Sequence, residues 1–179
     1  MTNDTRPTVS RRNLVRALLG RDTPTSQPDA TPADGNPHAA GDAAYAAGDY
    51  PAAVAAYRAS IHGDLSNVAV RVRLGHALYV LGQYIQARVE FEHVLRLTDG
   101  VDALARMGLG LTFLGLGKGE RAAAVLALFE DAGRPELVQA AQAVATRLTS
   151  GETPDYAALR LDLEGVARAT ALFPDSETA

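Results

Sequence analysis

A chain of 179 residues, 47% apolar and 21% charged, has the size and balance of one globular domain with a tail, and its lack of cysteine excludes disulfides, thiolate metal sites and cysteine nucleophiles. No apolar run approaches the ~18 residues that a membrane-spanning helix needs. The net charge of −4 divides into +4 over the first 21 residues and −8 over the rest, and so acidic a body excludes nucleic acid as a main partner, because neutralising phosphates takes a basic surface.

The basic arm, residues 1–21, contains Ser10-Arg11-Arg12-Asn13-Leu14-Val15-Arg16, which resembles the twin-arginine motif of exported bacterial proteins. An export signal continues into roughly 7–15 apolar residues and a small-residue cleavage site. Here only Ala17, Leu18, Leu19 and Gly20 precede Arg21, and no such site follows at a suitable distance. Ser10 can instead cap a short helix that Gly20 closes, with Leu14 and Leu18 on one side and Arg12 and Arg16 on the other. So short a helix forms only on a partner. The arm is therefore expected to be a docking element, carried by Arg11, Arg12, Leu14, Arg16 and Leu18, for a second protein or an anionic membrane face. Export, with a periplasmic location, is the alternative. Residues 22–37 hold Pro24, Pro28, Pro32 and Pro37 without a large apolar side chain, and read as a disordered linker.

From His38 onward the pattern is helical and repeats. Ala40 begins "AGDAAYAAGDYPAAVAAYRASI" and Leu74 begins "LGHALYVLGQYIQARVEFEHVL", so that Gly41, Gly48, Tyr50, Ala53 and Tyr57 fall 34 residues before Gly75, Gly82, Tyr84, Ala87 and Phe91. A third copy, one residue late, supplies Gly110, Gly117, Ala122 and Leu126. The first glycine of each set lets two helices approach, and the second suits a left-handed helix end. The tyrosine, phenylalanine or leucine fills a seam. Gly119 stands where the earlier copies have Tyr50 and Tyr84, which predicts a looser turn there.

This period and its L-G, Gly and A-x3-F/Y positions resemble the tetratricopeptide repeat. The resemblance implies an all-α solenoid of helix-turn-helix units over about 38–174. Its repeats would fall near 34–67, 68–102 and 103–136, and a degenerate capping helix pair over 137–174 would close it. Pro135 opens the first capping helix. Thr153 is expected to cap the second, with Pro154 in its first turn. Along that helix Leu159, Leu163 and Val166 make an inward stripe, with Arg160, Asp162, Glu164 and Arg168 mostly outside it.

Catalytic chemistry finds no footing, and no catalytic, cofactor-binding or metal-ligating residue is assigned. The stretch "GLGLTFLGLGKGE" departs from a phosphate loop, since Thr112 stands five residues before Gly117 and Gly119 replaces the magnesium-binding Ser or Thr. His38, His62, His76 and His93 have no metal-ligand spacing, and no serine sits in a G-x-S-x-G turn. A nucleotide- or metal-dependent enzyme remains an alternative that no residue cluster advertises.

The family resemblance implies ligand binding in a concave groove lined by the first helix of each repeat. The inner positions are Asp42 and Tyr45, then Val72, His76 and Tyr79, then Met107, Leu111 and Leu114. The lysine and asparagine with which chaperone-binding relatives clamp a terminal carboxylate are replaced by His38, Asp42 and Arg73, so that activity is not implied. An aromatic and apolar groove suits a partner helix or extended peptide. The expectation is a non-enzymatic cytoplasmic adaptor; a peripheral place at the inner membrane, as an accessory or assembly subunit of a bacterial redox complex, is a refinement suggested by the twin-arginine resemblance alone.

Overall fold

The computed structural model describes residues 37–61, 65–151 and 154–173. The chain divides into two compact units, Met1–Thr31 and Pro32–Ala179. The first unit lies outside the described residues, and with it the docking arm; so does nearly all of the 22–37 linker. The second unit is all-α. Its described residues form α1 (Ala39–Ala46), α2 (Tyr50–Ile61), α3 (Val68–Val80), α4 (Tyr84–Leu97), α5 (Ala103–Gly115), α6 (Gly119–Leu126), α7 (Pro135–Thr149) and α8 (Tyr156–Ala169), with no strand among them. No helix among them is long and apolar enough to cross a membrane.

Local chemistry sets the helix ends. The side chains of Asn67 and Asp102 accept from the backbone N–H groups of Val70 and Ala105, satisfying donors that a helix start leaves unpaired. The start of α8 departs from expectation. Asp155 is its cap, accepting from Ala157 and Ala158, so the helix begins after Pro154 rather than with it. Between α3 and α4 the chain turns at Gly82, whose φ of +70° costs a side-chain-bearing residue steric strain. There the Gly82 and Gln83 amides donate to the carbonyls of Tyr79 and Leu78, closing the helix end. Gly48 and Gly117 repeat this turn, with φ of +71° and +66°.

Small residues let paired helices close on large ones. A Cβ at Gly75 would stand 2.9 Å from the Phe91 ring, and one at Gly108, on the following α5, would stand 2.4 Å from the same ring. Phe91 is thus gripped from both sides and fully buried. Gly41 meets Tyr57, and Gly110 meets Leu126, in the same way. Burying a side chain of the size of Phe91 contributes about 2–3 kcal/mol, so these seams anchor the core.

Neighbouring helices pack in chain order, but α8 also lies against α5, and α5 against α3. Leu159, Leu163 and Ala167, one turn apart, are the fully buried positions that hold α8 there, while Val166 is only half-buried. The turn at Gly119 is not loose. The Tyr156 ring of α8 fills the space, lying 2.7 Å from where a Cβ would stand on buried Gly119.

Candidate functional site

Between α3 and α8 lies a cavity of about 290 Å³, lined by Tyr50, His76, Tyr79, Val80, Tyr84 and Leu111 on one side and Arg160, Glu164, Arg168 and Phe173 on the other. It exists because α8 sets Arg160, Glu164 and Arg168 at four-residue spacing on one face, opposite the aromatic side chains of the earlier helices. Arg160 and Glu164, expected outside the inward stripe of α8, instead close over Tyr79.

The Tyr79 hydroxyl donates to Glu164, and Arg160 Nη1 donates to Glu164 Oε1 at 2.6 Å and to the Tyr79 hydroxyl at 3.3 Å. Burial, and then the Glu164 hydrogen bond, hold the Tyr79 hydroxyl well above the usual phenol range. The hydrogen bond to Tyr79 raises Arg160 in turn. This triad is self-satisfied: its one carboxylate already has two donors.

His76 is 7% exposed, and burial pushes its pKa down to about 4, leaving a neutral imidazole at neutral pH. The Tyr45 hydroxyl lies 2.6 Å from His76 Nδ1. Burial pushes that hydroxyl up, so Tyr45 keeps its proton and is the donor, and the network assigns the imidazole proton to Nε2. Phe173 stacks on the His76 ring at a centroid distance of 4.4 Å and an interplanar angle of 15°. Tyr50 meets His76 edge-on at 6.1 Å, and Tyr79 lies 5.6 Å from Tyr84.

Of the residues expected in the groove, His76, Tyr79 and Leu111 line this cavity. Tyr45 lies behind His76 as its hydrogen-bond partner, and Val72 is buried away from the cavity lining. Met107 and Leu114, expected to face a ligand, are enclosed at 0% and 2% exposure. The reason is that α5 is packed by α3, α4, α6 and α8 together. Asp42 is engaged elsewhere, accepting from Tyr57 at 2.8 Å and Arg73 at 2.7 Å.

Sequence reasoning did not assign Tyr50, Tyr84, Arg160, Glu164, Arg168 or Phe173 to the site. A signal existed for two of them, because Tyr50 and Tyr84 hold equivalent places in successive repeats. Leu111 lies deep, whereas Val80, at 47% exposure, and the exposed Arg168 mark the rim.

Among the described residues, no three His, Asp or Glu side chains converge as a metal site requires. The lining offers flat apolar faces, hydroxyls and guanidinium groups, which bind and orient. No protein-family model matches the chain, and no curated protein matches it.

Proposed function

We propose that this protein is a tetratricopeptide-type scaffold, non-enzymatic, that holds a segment of a partner protein in the cavity between α3 and α8. The single observation carrying this reading is the cavity itself, rimmed by Val80 and Arg168 and walled by aromatic rings. Aromatic side chains with polar tips suit a half-wet recognition site, offering broad contact at low conformational cost. Support for the repeat class comes from the recurrence of one turn geometry at Gly48, Gly82 and Gly117, and of one glycine-on-ring contact at Gly41 and Gly75. In this reading the N-terminal arm is a second docking element that raises the effective concentration of the same assembly. The protein works in the cytoplasm or at the inner face of the membrane, as an adaptor or accessory subunit.

Site-specific photo-cross-linking in the native host tests the reading. A cross-linker replacing Val80 captures a partner chain, whereas one at Leu128, 63% exposed but away from the cavity, does not. No capture from Val80, or equal capture from both positions, overturns it.

A further inference from the structure

The polar groups of the cavity are unequally spent, and the imbalance has a sign. Its one carboxylate, Glu164, already receives Arg160 and the Tyr79 hydroxyl. Its second guanidinium, Arg168, has no hydrogen bond or carboxylate partner among the described residues, and neither do the hydroxyls of Tyr50 and Tyr84. His76 adds no charge, since burial keeps it neutral, and its Nε2–H is a further donor. Among the described residues, the charges facing the cavity are then accounted for. From α8 come Arg160, Glu164 and Arg168; α2, α3 and α4 supply tyrosines, Val80 and the neutral histidine, none of them charged; α5 supplies Leu111. One positive charge is left over.

A cationic group entering here would meet Arg168 and find Glu164 occupied. A carboxylate would meet an unspent guanidinium and form a charge-assisted hydrogen bond. Arg168 lies one helical turn beyond Glu164, about 6 Å along α8. An acid bound to it therefore avoids the existing ion pair.

The remaining lining selects shape. About 290 Å³ is the small end of ligand pockets, room for one or two side chains rather than a helix. The walls are ring faces and edges, and Phe173 lying flat on His76 shows that this place takes an aromatic ring.

Resting on the scaffold reading, we propose that the cavity recognises an aromatic side chain of the partner segment together with the carboxylate of an adjacent Asp or Glu. The ring packs among Tyr79, Tyr84 and Phe173, and the carboxylate pairs with Arg168. The partner is thus marked by an acidic-aromatic sequence.

The test uses the full chain and three capped pentapeptides: Ala-Glu-Phe-Glu-Ala, its glutamine counterpart Ala-Gln-Phe-Gln-Ala, and its lysine counterpart Ala-Lys-Phe-Lys-Ala. Binding is followed by NMR at the His76 and Phe173 rings. The glutamate peptide is expected to shift both resonances saturably, with the glutamine peptide about tenfold weaker and the lysine peptide weaker still. Arg168→Gln, an exposed change that leaves the fold intact, brings the glutamate peptide down to the affinity of the glutamine one. Equal affinities for the three, tightest binding by the lysine peptide, indifference to Arg168→Gln, or no saturable shift overturns the proposal. The scaffold reading is judged separately. Capture from Val80 with no glutamate-peptide binding removes only the assigned chemistry, and failure of both removes the site.

Discussion

Phe173 lies nearly parallel to His76, 4.4 Å from it, so the segment after α8 is pinned to a histidine on α3. The stack covers the face of the imidazole whose Nδ1 accepts from Tyr45. Phe173→Ala is expected to cost about 1–2 kcal/mol, less than a fully buried phenylalanine because the ring is half-buried. Water then reaches His76, and its pKa climbs from about 4 toward the ordinary 6.5. An NMR titration of the His76 ring reads the shift; an unmoved pKa would show that Phe173 does not shield it.

Stability should depend on pH through the same histidine. Its folded pKa, about 4, lies below the ordinary 6.5, so between those values the unfolded chain binds a proton that the folded one refuses. The contribution of neutral His76 is fully present above pH 6.5 and is lost as the pH falls toward 4, by about 3 kcal/mol in all. Urea unfolding at pH 7 and pH 4.5 measures it. His76→Gln keeps the other titrating groups and should show a smaller loss between the two; equal losses would assign the pH dependence to carboxylates.

The glycines that meet large buried side chains should not tolerate a methyl group. Gly75→Ala and Gly110→Ala each place a Cβ under 3.0 Å from Phe91 or Leu126, an overpacking expected to cost about 1–3 kcal/mol. Gly165→Ala, on α8, meets nothing within 4 Å and should stabilise by about 0.5–1 kcal/mol through helix propensity. Thermal unfolding of the three variants checks this opposition of sign. A destabilising Gly165→Ala would mean that this face of α8 is covered.

Tyr79 and Glu164 should act as one unit. Tyr79→Phe leaves Glu164 with Arg160 alone, and Glu164→Gln weakens both of the hydrogen bonds it accepts. In a double-mutant cycle the two changes are expected to couple by about 1 kcal/mol. Strict additivity in denaturant midpoints would show that the Tyr79–Glu164 contact does not help to hold α8 in place.

The sequence by itself determined what depends on neighbours a few residues or one period away. Gly48, Gly82 and Gly117 announced the left-handed turns, because a residue without Cβ has little competition there. Gly41, Gly75 and Gly110 announced the close approaches, since their large partners stand at a constant offset within the same repeat. Even the buried Leu159 and Leu163 were legible from helical spacing.

Only the tertiary structure decided where α8 goes. An amphipathic stripe specifies that a face is buried but not against which helix, and here the choice fell on α5 as well as α7. That choice accompanies the enclosure of Met107, Leu111 and Leu114, fills the gap at Gly119 with Tyr156, and turns Arg160 and Glu164 inward onto Tyr79. The cavity is therefore a product of long-range packing. Its walls come from residues far apart in the chain, and no local period could bring them together.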